Sequence, residues 1–231
     1  MVKSFMKLFI LCLIFWTQSL SAATVADYYN EIPESVSGFN NYSFKLVNQK
    51  WVATKYEASI PDVVADIRNG YIHVGDEGTG GGRLTTEIAL FKSRSGTPYI
   101  AIATNNFFGI PMRDYEFKIF RKSGRTWKDV TSSAMPQIQL KQYLTGQPLE
   151  HSAIKTMKLK NVLQFALPRH GTDLKVHLDI AWFDYYLSLE DTPAQVKNAY
   201  RHFKKIAVYK TLVFQWDSRK EKFVFLRKIP A

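Results

Sequence analysis

The sequence predicts a mainly β protein with a minor helical part: two antiparallel meander sheets, blade-like or packed as a sandwich, with one inserted amphipathic helix. Three observations predict it. Residues alternate through the run around residue 87, where Leu84, Thr86, Ile88 and Leu90 share one face and Thr85, Glu87 and Ala89 the other. A period of two is the pattern of a strand with one buried face. Turn dipeptides punctuate the apolar runs at Asn69-Gly70, Ser95-Gly96 and Ser123-Gly124, where a positive φ is cheap. The pattern also restarts after about Leu149, and YEFKIFRKSGRTWKDV in the first half resembles KTLVFQWDSRKEKFVFL in the second.

Taken in order, Thr24 to Tyr29 reads as a helical lead-in ending before Pro33. Tyr42 to Val47 and Trp51 to Tyr56 read as a hairpin turning at Asn48-Gln49. The next piece is open to two readings. Either Ser59 caps a short helix with Pro61 in its first turn, or Val63 to Ile67 is a strand entering the Asn69-Gly70 turn and pairing with Tyr71 to Val74. The strand is preferred, because Asn-Gly between apolar runs is a strong hairpin signal. The glycine-rich piece from Gly75 to Gly82 follows as a hairpin tip. Strands at Leu84 to Phe91 and Tyr99 to Thr104, then a hairpin of Tyr115 to Arg121 with Thr126 to Val130, complete the first half. Pro136 to Leu144 reads as a helical connector.

In the second half, Val162 to Leu167 and Leu174 to Ala181 are strands around the turn Pro168 to Gly171. Lys210 to Trp216 then pairs with Lys222 to Leu226. Between them, Thr192-Pro193-Ala194-Gln195 carries the chemistry of a helix start, with Thr192 as cap. Val196, Ala199, Tyr200, Phe203 and Ala207 fall on one side of that helix and Lys197, Arg201, Lys204 and Lys205 on another. Such a helix either packs on its own sheet or lies on an anionic surface. The organisation is thus a leader over 1–23, a β-meander half over 24–145, and a second half over 146–231 with its helical insertion at 190–207.

The leader is a secretory signal peptide by pattern. Lys3 and Lys7 precede an apolar run from Leu8 to Trp16, and Ser21-Ala22-Ala23 offers a small-residue cleavage site. The run falls short of the ~20 apolar residues that span a bilayer. Cys12 lies inside it after Leu11, which does not fit a lipidation site. Cleavage removes this single cysteine, so the mature chain must fold on its core without disulfides. It also takes 31 basic residues to 29 against 20 acidic, leaving a net charge of 29 − 20 = +9. That balance favours an envelope protein or an anionic glycan or lipid surface as partner. The basic residues are dispersed, without the dense run of a nucleic-acid arm, and no later segment is apolar enough to span a membrane. Periplasmic export is the expected destination.

Two resemblances bear on this. The run Leu167-Pro168-Arg169-His170-Gly171-Thr172, with a strand and then the Trp216-to-Phe223 hairpin, is similar to uncharacterised secreted bacterial β-rich proteins. The Asn69-Gly70-Tyr71 turn with its glycine-rich sequel is similar to them too. The resemblance implies an exported β-rich envelope protein and brings no activity. DYYLSLEDTPAQVKNAYRHFKKIAVYK, Asp184 to Lys210, resembles the opening of a J domain. J domains act through a His-Pro-Asp loop after that helix, and Tyr209-Lys210-Thr211-Leu212 stands there instead. That likeness implies a helix and no co-chaperone activity.

Catalytic patterns are missing from the sequence. Gly75 to Gly82 lacks the Lys-Ser/Thr end of a phosphate loop and the alternating oxygen ligands of a calcium loop. His73, His151, His170, His177 and His202 have no zinc spacing. His177, by alternation, faces solvent. Asp173 and Asp179 share its polar face near opposite ends of the strand, and Ser132 and Ser133 sit in no nucleophile elbow. No cofactor or metal is expected. The candidate binding residues are Asn105, Asn106, Phe107, Phe108 and Arg113, read as a loop where aromatics stand beside amides. That combination suits sugars or peptides; a structural cap on the sheet's open end would use the same residues. The expected function is a non-enzymatic envelope binding or accessory protein, with an envelope hydrolase as the alternative.

Overall fold

The computed structural model describes residues 23–37, 42–54, 61–77, 82–107, 113–144 and 162–230. The expected leader, Ala23 excepted, lies outside them, as do residues 78–81 of the glycine-rich tip. The chain opens with α1 (Val25–Asn30), started by a reciprocal cap between Thr24 and Asp27, and the short α2 (Glu34–Ser37). Strands β1 (Ser43–Val47) and β2 (Lys50–Thr54) form a hairpin. Its two turn residues, Asn48 and Gln49, both take positive φ, 47° and 65°, as a tight turn matched to strand twist requires.

Six strands then follow as one meander: β3 (Asp62–Asp66), β4 (Tyr71–Glu77), β5 (Arg83–Lys92), β6 (Pro98–Phe107), β7 (Arg113–Ser123) and β8 (Thr126–Asp129); one helical turn, α3 (Thr131–Ala134), comes after them. The helix alternative before Asn69 gives way to β3. Gly70, Gly96 and Gly124 all adopt positive φ, so each turn forms where its dipeptide places it. Gly70 is also the closest packed, since a Cβ there would lie 3.1 Å from Leu90 Cβ.

Both faces of this sheet are buried, which corrects the reading of one buried face. On one face Ile72, Val74, Ile88, Ile100, Ile102 and Phe120 pack under α1 and the β1–β2 hairpin, against Val25, Tyr29, Phe44 and Ala53. On the other, Tyr71, Ala89, Phe91, Tyr99, Ala101 and Ile119 face a second sheet. The alternation in β5 and β6 is therefore less apolar against polar than large against small. Ala89, Ala101 and Ala103 leave room for another layer to come close.

That layer is a four-stranded sheet in the order β12-β11-β10-β9, from β9 (Leu163–Ala166), β10 (Asp173–Leu178), β11 (Tyr209–Asp217) and β12 (Lys222–Pro230). Leu174, Val176, Leu178, Leu212, Phe214, Trp216 and Phe223 form its inner side. The two sheets share one core and stack face to face, so the arrangement is a sandwich rather than separate blades.

The insertion between β10 and β11 is a pair of helices, α4 (Ile180–Ser188) and α5 (Ala194–Ile206). β10 stops at Leu178 because the Asp179 carboxylate accepts from the Ala181 N–H at 3.0 Å and starts α4, taking Ile180 out of the strand. In α5 the capping position falls to Pro193, and no side chain caps the helix; Thr192 does not play the expected part. Ala199, Tyr200 and Phe203 are buried against the core. The expected connector helix shrinks to one 3-10 turn, Leu140–Tyr143. Burial of Leu140 and Tyr143 overrides local preference there, and the Tyr143 hydroxyl donates to the Val176 carbonyl at 3.1 Å.

The crossing of the sheets can be read from three contacts. Phe165 stacks on Phe117 of β7 with centroids 4.5 Å apart. The Leu167 N–H donates to Glu87 Oε2 of β5 at 2.7 Å, and Arg169 Nε donates to Asp66 Oδ2 of β3 at 3.0 Å. From residue 165 to 169 the chain thus crosses from β7 to β3, steeply across the larger sheet's strands and not along them. The Leu-Pro-Arg-x-Gly-Thr run is the strap that fixes this crossing.

Candidate binding site

The strap divides one face of the larger sheet. It crosses at the level of Phe117, Ala103, Glu87 and His73, which lie side by side on β7, β6, β5 and β4. On one side of it lies the buried aromatic core. On the other, the next residues in register are Gly75, Thr85, Asn105 and Tyr115, and beyond them Glu77, Arg83, Phe107 and Arg113. His73, Gly75, Thr85, Asn105 and Phe107 are half-buried, and Glu77 and Arg83 exposed. The strand ends therefore form a polar shelf beside the strap.

Of the expected binding residues, Asn105, Asn106 and Phe107 are strand and not loop. They end β6, in register with Tyr115, Asp114 and Arg113 of β7. Alternation continues through them, so Asn105 and Phe107 belong to the shelf and Asn106 to the opposite face, beside Leu84 and Asp114. Arg113 opens β7 opposite Phe107; Phe108 and the Arg113 side chain lie outside the described residues. Sequence reasoning missed His73, Thr85, Glu87 and Tyr115 as members. The alternation had already put Thr85 and Glu87 together, and the same parity from Tyr71 would have added His73.

The shelf's polar groups are held in defined ways. Asn105 Nδ2 donates to Thr85 Oγ1 at 3.3 Å, while Asn105 Oδ1 is shielded from solvent and has no hydrogen-bond partner among the described residues. The Tyr115 hydroxyl donates to Asp179 Oδ2 at 2.5 Å, bringing the start of α4 to the shelf's edge. The Tyr71 hydroxyl donates to Glu87 Oε1 at 3.1 Å. Burial, then the adjacent Glu87 charge, pushes the Tyr71 hydroxyl well above its ordinary pKa, so it stays a donor. His73 Nδ1 stands 4.0 Å from Glu87 Oε1. Glu87 thus has both carboxylate oxygens engaged, one by its own sheet and one by the strap that follows β9.

The residues set aside for catalysis stay apart. His177 lies on the outer side of the second sheet, as alternation expects, but half-buried, with Nδ1 2.9 Å from Thr211 Oγ1. Asp179 has left the strand's polar face for the helix start, while Asp173 lies 3.7 Å from Arg227. Among the described residues, no group of three or more His, Cys, Asp or Glu is placed to hold a metal ion, and no helix is long and apolar enough to cross a membrane.

No protein-family model matches this chain, and no curated protein matches it. Among solved structures, a domain of an uncharacterized protein from Porphyromonas gingivalis W83 is similar. The two share 14% identity over 87% of this chain and 97% of that one, with a TM-score of 0.48. A likeness at this level carries no functional inference.

Proposed function

We propose that the chain is an exported, non-enzymatic binding or accessory protein of the cell envelope, and that the shelf receives its ligand, a neutral glycan strand or an extended peptide. The observation that carries this reading is the engagement of Glu87. A carboxylate accepting from Tyr71 and from the Leu167 N–H is committed to joining two sheets and is poorly placed to act as a general base. The half-buried groups around it, His73, Thr85 and Phe107, combine ring surface with short polar side chains, as polar ligand sites do. The test titrates residues 24–231 with soluble cell-wall glycan fragments and with wall-derived peptides, following amide shifts by NMR. Saturable shifts clustered on His73, Thr85 and Phe107, weakened about tenfold in Thr85→Val by loss of one hydrogen bond, are expected. Shifts elsewhere, or none with either ligand, overturn the shelf as the site.

The hydrolase alternative keeps one support, the approach of His73 to Glu87. It requires that the protein clear purified cell wall and that Glu87→Gln abolish clearing while the fold persists. Inertness at high protein loading removes it.

A further inference from the structure

The insertion carries a feature the shelf does not use. From Thr192 to Trp216 the sequence contains Lys197, Arg201, Lys204, Lys205 and Lys210 and not one Asp or Glu. Helical spacing sets Lys197, Arg201, Lys204 and Lys205 along one stripe of α5, with Arg201, Lys204 and Lys205 exposed. Lys210, also exposed, follows where β11 begins. The Val208 N–H donates to the Tyr143 carbonyl at 3.1 Å, which brings exposed Lys141, two residues from Tyr143, toward the same end of the helix. Opposing charge lies toward the other end of the helix and on α4: exposed Glu190 and Asp191 precede Thr192, Lys204 pairs with Asp184 of α4 at 2.6 Å, and Arg201 donates to the neutral Asn198 at 3.0 Å.

The opposite side of α5 is spent on the fold, since Ala199, Tyr200 and Phe203 are buried in the shared core. The helix therefore cannot insert an apolar face into a bilayer, as free amphipathic helices do. What it presents is cationic, and among the described side chains near the stripe Val208, at 40% exposure, is the one large apolar group that is open. A protein partner is usually held by a buried apolar or aromatic centre, and a glycan by ring platforms with directed hydrogen bonds. A stripe of exposed basic side chains, with neither beside it among the described side chains, fits a diffuse field of negative headgroups.

We propose that α5, with Lys210 and Lys141, docks the protein peripherally on an anionic lipid surface by charge alone. The helix lies along the surface, its apolar side still in the core. Attraction of this kind adds up per basic residue and fades within a Debye length of about 10 Å at 0.1 M salt. The proposal does not depend on the shelf.

The test is co-sedimentation of residues 24–231 with vesicles containing about one-third phosphatidylglycerol, against pure phosphatidylcholine vesicles, at low and raised salt. Binding to the anionic vesicles alone, lost as salt rises, is expected. The double variant Arg201→Glu, Lys205→Glu lowers the partition coefficient by at least about 25-fold, from roughly fivefold per basic residue. The control double variant Lys45→Glu, Lys50→Glu makes the same change in net charge at exposed hairpin positions and leaves binding within about twofold; circular dichroism confirms that both variants fold. Equal loss in the two pairs overturns the proposal, because net charge would then suffice. So does no vesicle binding, or binding to a soluble acidic polysaccharide that outcompetes the vesicles and depends on the same two residues.

Discussion

Removing the Glu87 carboxylate tests the strap directly. Glu87 accepts from the Leu167 N–H at 2.7 Å and the Tyr71 hydroxyl at 3.1 Å, and both donor residues are only 6% exposed. Glu87→Ala leaves two shielded donors without an acceptor. Stranding one buried donor costs about 1–3 kcal/mol, and bonds to a charged acceptor sit at the upper end. Relief of the carboxylate's own desolvation and some water entry offset part of this, so about 3 kcal/mol is expected. For a domain of this size each kcal/mol moves Tm by about 2–4 °C, giving a drop of roughly 6–12 °C. Glu87→Gln keeps one acceptor oxygen and should lose about half as much. The comparison is Arg169→Ala on the same strap, whose side chain is more than half exposed and whose loss should be felt little. Urea and thermal unfolding of the three variants decide the matter. If Glu87→Ala stays within about 0.5 kcal/mol of the parent, the range of an ordinary surface change, the strap is not held as described.

Other expectations follow from single positions. Burial, then the charge of Lys175, holds the His177 imidazole below its ordinary pKa of 6.5. The folded protein therefore stays neutral there while the unfolded chain takes up a proton, so stability is complete above the unfolded value and lost as pH falls through it toward the folded one. His177→Asn should flatten that fall, read as urea midpoints at about pH 7 and about pH 5; an unchanged slope would assign it to other groups. Gly70→Ala should cost about 2–3 kcal/mol, combining positive φ with the 3.1 Å approach to Leu90. Gly96→Ala, also at positive φ but with nothing within 4 Å, should cost only about 1 kcal/mol; equal losses in chemical denaturation would count against the packing argument. Thr24→Ala should cost about 1 kcal/mol by opening the α1 cap, seen as a lower thermal midpoint.

Much of the fold was legible because it is written in local chemistry. Asn69-Gly70, Ser95-Gly96 and Ser123-Gly124 mark turns whose backbone angles only certain residues take cheaply, and alternation sets which side chains share a face. Neither says what covers a face. Ala89, Ala101 and Ala103 look unremarkable in sequence, yet their smallness admits the second sheet. The end of β10 was misread because Ile180 continues the alternation, while the competing signal, the Asp179 carboxylate, acts on the backbone. The binding residues were half found. Asn105 and Phe107 stood out by type, but their company of His73, Thr85 and Glu87 comes from three strands, and register across strands is invisible until the pairing is known.

The two ends of the sandwich differ in how they are joined. At one, the β5–β6 and β11–β12 turns are knitted together: the Arg94 N–H donates to the Ser218 carbonyl at 2.8 Å, Trp216 Nε1 to the Lys92 carbonyl at 2.9 Å, and the Tyr99 hydroxyl to Glu221 at 2.5 Å. The shelf stands at the other. For anyone grafting a reporter or a recognition sequence, this sets a polarity. Lengthening the turn at Ser95-Gly96 would pull on the bonds that join the two layers there, whereas Glu77 and Arg83, exposed at the shelf end, take no part in those bonds.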